Sequence, residues 1–242
     1  MQIPSMETLD LQGKRTMIRL DLNVPLKNGA VISDARIMAS LPTIQMALDK
    51  GANVILLSHL GRPDPEKLDG SFSLEPVAER LQEILGIRVS FQSNWLEGID
   101  HPSDGVTLCE NVRYHAGEKK NDESLSQKIA GLCDVYVMDA FGASHRKHSS
   151  TYGALQYAKE RCIGPLLSNE VNSIKKAIDG PKSPVTAIIG GAKVSSKLGV
   201  IEKFSSFCDP VIVGGGIANT FLLASGKEVG ASLAEPEMVD AA

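Results

Sequence analysis

The chain has 242 residues, 43% hydrophobic and 22% charged, with 22 glycines and 12 prolines. That balance excludes a disordered, collagenous or disulfide-stapled protein and supplies enough apolar side chains for a core that needs no metal or disulfide brace. With 29 acidic and 25 basic residues the formal net charge is −4, which argues against DNA or RNA as the main partner, because a nucleic-acid footprint is normally basic.

Residues 1–14 carry Glu7 and Asp10 and no apolar run, so no secretory signal is expected there. Beyond them, apolar β-branched runs alternate with helical patterns. Strands are predicted at 16–20, 53–57, 106–109, 135–139, 185–189 and 211–213, with a shorter one at 88–91. Ser33 is placed to cap a helix carrying Ile37, Leu41, Ile44 and Leu48, kinked or restarted at Pro42. Ser73 is placed to cap a second with Val77, Leu81 and Ile84, and Asn121 a third with Leu125, Ile129 and Leu132. Later, Val171, Ile174 and Ile178 share one helical face, and Val200 and Phe204 another. Strand, helix and strand in repetition predict an α/β fold, a parallel sheet with helices on both faces in a Rossmann-like three-layer arrangement.

The run Gly180-Pro181-Lys182-Ser183-Pro184 marks a boundary. The expected organisation is a first α/β domain at 1–165, an interdomain helix and linker at 166–184, and the start of a second α/β domain at 185–242, incomplete for its class. The uncharged stretch 210–226 holds four glycines, Asn219 and Thr220, too polar for a membrane span. Cys109, Cys133, Cys162 and Cys208 are scattered without a C-x-x-C pair. They fit small buried side chains in a reducing compartment, so the cytoplasm is expected.

In a parallel α/β sheet, ligands sit beyond the carboxyl ends of the strands. The first strand runs through Ile18-Arg19-Leu20-Asp21-Leu22-Asn23-Val24-Pro25, where alternation puts Arg19, Asp21 and Asn23 on one face. The second ends in Ser58-His59-Leu60-Gly61-Arg62-Pro63, the third in Glu110-Asn111-Val112-Arg113, and the fourth in Asp139-Ala140-Phe141-Gly142 followed by His145, Arg146 and His148. Arg36 adds a cation in the first turn of the helix opened by Ser33. The planar fork of arginine grips phosphate or carboxylate bidentately and stays charged, so this edge is predicted to bind a small, multiply charged anion. The plainer alternative is that these cations are solvated or paired with Asp21, Glu110 and Asp139, with Arg19 the foremost candidate for such a pair. The histidines match no metal spacing.

Two glycine-rich turns follow later strands: Gly190-Gly191-Ala192-Lys193-Val194-Ser195-Ser196-Lys197 and Gly214-Gly215-Gly216-Ile217. Such turns admit a phosphate at a helix N-terminus, but equally serve close packing of helix on sheet, and neither has the spacing of a Walker A loop or a G-x-G-x-x-G fingerprint. Lys193 and Lys197, four apart, would share a helical face.

These segments, in this order and along essentially all 242 residues, closely resemble the phosphoglycerate kinase family, most of all its bacterial members. The resemblance implies reversible phosphoryl transfer between 1,3-bisphosphoglycerate and ADP, giving 3-phosphoglycerate and ATP in glycolysis. It implies that Asp21 and Asn23 hold the glycerate, and that Arg36, His59, Arg62, Arg113 and Arg146 bind the 3-phosphate and carboxylate. It further implies that Lys193 and Arg36 stabilise the phosphoryl group in transfer, that Lys197 reaches the nucleotide phosphates, and that Gly191, Gly214 and Gly215 approach the nucleotide. The cofactor implied is ATP or ADP with Mg2+, its metal ligand expected beyond Ala242, since family members continue past that point. No metal ligand is assigned within the chain, and no nucleic-acid or membrane partner is expected; a monomer is expected for the full-length protein. The alternative is a catalytically incomplete fragment that acts only as a phosphoglycerate-binding module.

Overall fold

Apolar runs of four or five residues become strands here because each can bury side chains on both faces of a sheet at once. The computed structural model describes residues 4–100, 105–180 and 182–242. In chain order the elements are β1 (Arg15–Arg19), a hairpin of β2 (Leu26–Lys27) and β3 (Ala30–Val31), α1 (Ala35–Asp49) and β4 (Asn53–Leu57). Next come α2 (Glu75–Leu85), β5 (Arg88–Gln92), β6 (Gly105–Cys109), α3 (Glu123–Gly131) and β7 (Val135–Met138). The short α4 (Phe141–Ser144), a π-helical turn at Ser149–Gly153 and α5 (Ala154–Tyr157) lead to β8 (Glu160–Ile163) and α6 (Pro165–Ile178). The chain then runs through β9 (Ala187–Gly190), α7 (Leu198–Ser205), β10 (Val211–Gly214) and α8 (Gly216–Ala224). Of the expected linker, Pro181 lies outside the described residues, as do 1–3 and 101–104 of the expected first domain.

Six strands form one parallel sheet in the order β5-β6-β4-β1-β7-β8. Strand alternation sorts its side chains into two cores. Ile18, Val54, Leu56, Val106, Leu108, Val135 and Val137 pack with Ile37 and Ile44 of α1 and Val77 and Leu81 of α2. On the other face Met17, Ile55, Leu57, Cys109 and Tyr136 pack with Leu125 and Ile129 of α3 and with Trp95. The expected parallel sheet with helices on both faces is what forms.

The chain divides into two compact units, 1–173 and 174–242. The division falls inside α6, later than the expected first-domain end at 165, because Leu167 and Val171 at the start of that helix pack on Met138, Ala140 and Ala143. The second unit pairs β9 and β10 in parallel and packs Val194, Ile201 and Ile217 together.

Several local expectations are corrected. α1 runs unbroken through Pro42, because burial of Ile37, Thr43, Ile44 and Ala47 outweighs the one lost N–H bond. It starts after Asp34, whose carboxylate is held by Arg80 Nε at 3.0 Å, and not after Ser33. Asn121 does not cap α3. Its backbone is left-handed (φ +54°), and the extended Asp122 accepts from the Leu125 amide at 2.8 Å. β8 and the β2–β3 hairpin escaped sequence reasoning. β8 is an edge strand of Glu, Arg, Cys and Ile with only Cys162 buried, so it carries almost no apolar signal.

Candidate functional site

β6, β4, β1 and β7 are neighbours in the sheet and all parallel, so their carboxyl ends open side by side. The segments carrying Arg113, His59 with Arg62, Asp21 with Asn23, and Arg146 are thereby brought to one edge.

Polar struts shape these loops. Beyond β1, the Leu22 amide donates to Ser58 Oγ at 2.8 Å, and Asn23 Oδ1 accepts from the Gly61 amide at 2.8 Å. Arg113 Nη1 donates to the carbonyl of the same Gly61, so Asn23 and Arg113 hold the two successive peptides that flank Gly61. Gly61 has φ +57°, and a Cβ there would overlap the Phe72 ring, so only glycine fits. Asn111, fully buried, accepts from the Leu60 amide through Oδ1 at 3.2 Å and donates from Nδ2 to the Leu60 carbonyl at 2.8 Å. Glu110 accepts from the Leu74 amide at 2.9 Å and from Ser73 Oγ at 2.7 Å, anchoring the start of α2. Asp139, fully buried, accepts from the Leu167 amide at 2.8 Å and from Thr43 Oγ1. Burial pushes its carboxyl upward against those bonds.

Glu110 and Asp139 are therefore spent on scaffolding. Among the described residues the only ion pair made by the predicted anion-site arginines is Arg36 with Asp21. Arg19 pairs with neither Asp21 nor Glu110. Its side chain is buried (1% exposed), with Nε donating to Ser150 Oγ at 2.9 Å, Nη1 to the Leu20 carbonyl, and Nη2 meeting His59 Nδ1 at 3.1 Å.

The electrostatics register the convergence. Burial, then Arg19, Arg113, Arg146 and Arg36, push the His59 imidazole down to about 2, so it is neutral at ordinary pH. Burial, then Arg146 and Arg19, with a smaller push from Arg62, bring the Arg113 guanidinium down to about 10, opposed by Glu118. His148 is lowered by burial and then by Arg113, Arg146, Arg19 and Lys119. Cations that depress one another's proton affinity are short of negative charge, and an anion bound among them relieves both repulsion and desolvation. A cleft of about 180 Å3, lined in part by Asn23, Leu60, Gly61 and Phe72, adjoins this edge.

Asp21, Asn23, Arg36, His59, Arg62, Arg113 and Arg146 thus belong to one constellation in the first unit. Lys193, Lys197, Gly191, Gly214 and Gly215 belong to the second. There, Lys193 and Lys197 do not share a helical face: α7 begins at Leu198, with Lys197 at its cap and Lys193 in the irregular turn before it. Among the described residues no carboxylate lies within ion-pair distance of either lysine. Gly215 has φ +66°, and a Cβ on it would come 2.8 Å from the Gly191 carbonyl, while one on Gly216 would overlap the Ala192 carbonyl. These glycines let two turns touch, and space above Gly190 and Gly214 stays open.

Sequence reasoning missed Glu235, which accepts from the Ser195 amide at 2.9 Å and from its Oγ at 2.6 Å. Those bonds, and then the charge of Lys193, hold the Glu235 carboxyl below its usual range against the opposing effect of burial. It also missed Glu118 and Ser150, which meet across a gap of 32 positions with no local spacing to announce them. Among the described residues no group of three or more His, Cys, Asp or Glu side chains forms a metal-ligand set. No helix among them is long and apolar enough to cross a membrane.

Comparison with known proteins gives a consistent family. The family model described as phosphoglycerate kinase matches residues 6–242. The phosphoglycerate kinase of Nitratidesulfovibrio vulgaris (strain DSM 19637 / Miyazaki F) is 53% identical over 242 residues, covering 100% of this chain and 62% of that protein. That of Legionella pneumophila (strain Lens) is 52% identical, covering 100% of this chain and 61% of its own length. Among solved structures, phosphoglycerate kinase from Coxiella burnetii superposes with a TM-score of 0.89 at 48% identity, over 99% of this chain and 61% of that one. The enzyme from Pyrococcus horikoshii OT3 gives 0.81 at 32% identity, over 93% and 58%. The chain therefore spans about three fifths of the length of the curated relatives it matches.

Proposed function

The chain belongs to the phosphoglycerate kinase family, and from that membership we propose that it takes part in reversible phosphoryl transfer between 1,3-bisphosphoglycerate and ADP, yielding 3-phosphoglycerate and ATP. The observation that carries the proposal is the set of arginines gathered around a neutral His59 at four adjacent strand ends.

In this reading Arg36, His59, Arg62, Arg113 and Arg146 receive the 3-phosphate and carboxylate of the glycerate, while Asp21 and Asn23 hold its body. Arg36 gives up part of its bond to Asp21 on binding. In the ATP-forming direction ADP supplies the attacking phosphate oxygen; in reverse it is the carboxylate of 3-phosphoglycerate. Both nucleophiles are already anionic, so no general base is needed, and orientation with charge stabilisation supplies most of the rate. Arg36 and Lys193 are the proposed catalytic cations, with Lys197, Gly191, Gly214 and Gly215 serving the nucleotide phosphates. The lysines without carboxylate partners and the open space at Gly214 support that role. Magnesium, bound with the nucleotide, would neutralise phosphate charge; among the described residues no group of three or more His, Cys, Asp or Glu side chains is placed to hold it. We further propose a monomer working in the cytoplasm without nucleic-acid or membrane partners, supported by the acidic net charge and by four free cysteines.

Titration of the chain with 3-phosphoglycerate in a calorimeter at low salt, beside an Arg36→Ala, Arg113→Ala double variant, tests the anion site. One-to-one binding lost by at least about a hundredfold in the variant is expected, given the strength of charge-assisted bidentate contacts. A folded chain that binds no 3-phosphoglycerate overturns the proposal. Because the chain is shorter than its relatives, turnover with MgATP is measured separately: binding without turnover favours a phosphoglycerate-binding module.

A further inference from the structure

Beneath the arginine edge lies a buried chain of polar contacts that the proposed reaction does not use directly. Glu118 is 1% exposed, and both its oxygens are engaged: Oε2 accepts from the Ser150 amide at 2.9 Å and Oε1 from Ser150 Oγ at 2.7 Å. Ser150 Oγ in turn accepts from Arg19 Nε at 2.9 Å, so one hydroxyl links a buried cation to a buried anion. The Ser150 carbonyl accepts from Tyr136 OH at 2.5 Å, which holds the π-helical turn in place. At the far end Arg19 Nη2 stands 3.1 Å from His59 Nδ1.

Arginine has donors and no acceptor. The contact therefore requires a lone pair on His59 Nδ1, which puts the single imidazole proton on Nε2. Nε2 has no hydrogen-bond partner among the described residues and is not one of their fully buried polar atoms. A protonated His59 would face Arg19 with N–H against N–H, inside a field already set by Arg36 from α1, Arg113 after β6 and Arg146 after α4.

We infer that Glu118 is a positioning residue for the anion site: acting through Ser150 and Arg19, it locks His59 as a neutral imidazole that offers Nε2–H to the bound anion. The part of this inference that names a ligand rests on the phosphoglycerate reading above; the part about the tautomer does not. Glu118 has two functions here. It supplies the counter-charge that allows Arg19 to be buried at all, and it fixes which hydroxyl Arg19 Nε can reach, hence where Nη2 stands. His148, with Nδ1 3.8 Å from Glu118 Oε1 and its own proton affinity lowered, does not compete as a cation for that carboxylate at neutral pH.

The test is long-range 1H–15N correlation of the histidine rings in the 242-residue chain, with His59 assigned by a His59→Gln variant. The wild type is expected to show His59 as the Nε2–H tautomer, without protonation between pH 8 and pH 5.5. Ser150→Ala, which removes only the bridging hydroxyl, and Glu118→Gln are each expected to introduce the Nδ1–H form or a titration in that range. Both are expected to weaken 3-phosphoglycerate binding by about tenfold, the scale of one charge-assisted hydrogen bond. Ser150→Thr, keeping the hydroxyl, restores both signals. If Glu118→Gln does not fold, the wild-type spectrum and Ser150→Ala carry the test. A wild-type His59 that is Nδ1–H or cationic overturns the inference, as do folded variants whose His59 signals match the wild type. A wild-type chain that shows the expected tautomer yet binds no 3-phosphoglycerate overturns the ligand reading and leaves the relay standing.

Discussion

The two units prepare their candidate sites by opposite means. In the first, carboxylates and amides are buried as struts: Glu110 under α2, Asn111 across two strand ends, Asp139 between α1 and α6, Glu118 behind Arg19. Among the described residues the anion-site arginines in front of them have no carboxylate partner, apart from Arg36. In the second, among the described residues, no such scaffold stands behind Lys193 and Lys197 beyond Glu235, and the loops owe their shape to glycines where backbone touches backbone. Its strand faces are also less covered, with Ile188 76% and Ile212 50% exposed as paired neighbours on β9 and β10. Where struts and proposed ligand-binding groups are different residues, as with Glu110 and Arg62 but not with Asn23 and Arg113, which also hold Gly61, function and stability can be separated by mutation. Where the same backbone atoms do both, they cannot.

Gly216→Ala should give the largest effect and tests the second half of that contrast. Its Cβ would overlap the Ala192 carbonyl, so the second unit should lose about 3 kcal/mol, read as a lower urea midpoint, together with any ADP affinity. Undiminished stability would show that the two turns part at little cost. Acid should strain the first unit next. The folded pKa of His59 lies near 2, below the 6.5 of an unfolded histidine, so below pH 6.5 the unfolded chain takes up a proton that the folded one refuses. Stability should fall with decreasing pH in that window, by up to about 1.4 kcal/mol per pH unit from this group, and saturating phosphate should offset part of the loss. A stability curve flat from pH 6.5 to 5 in wild type and in a His59→Gln variant alike would remove His59 as its source. The smallest effect belongs to Arg62→Ala. Arg62 is exposed, makes no ion pair among the described residues and repels Arg113. Stability should stay within about 0.5 kcal/mol, while 3-phosphoglycerate affinity falls about threefold. A large stability loss would mean that Arg62 is a strut after all.

Much of the first unit was legible in the sequence because its signals are local. Alternation along 16–24 separates Ile18, Leu20, Leu22 and Val24, which all enter one core, from Arg19, Asp21 and Asn23. Partners of the polar groups were not legible. Nothing near Glu118, in the run Glu118-Lys119-Lys120-Asn121-Asp122, tells a buried carboxylate from a solvated one; only the arrival of Ser150 does. The cap of α3 lies one residue past the expected Asn121, because Asn and Asp have similar capping chemistry and backbone conformation chooses between them.

By itself the sequence determined the class of fold and supplied the ground for proposing an anionic ligand. Apolar runs of strand length separated by helical periodicity leave a parallel sheet as the way to bury both faces, and arginines placed just past strand ends call for an anion. Only the tertiary structure decided that β6, β4, β1 and β7 are neighbours, which turns separate loops into one edge. It alone also decided that Glu110 and Asp139 are consumed as struts while Arg62, Arg113 and Arg146 keep no counter-ion among the described residues. Strand order and charge pairing depend on contacts between residues far apart in the chain, and a local pattern carries no record of which distant groups will meet.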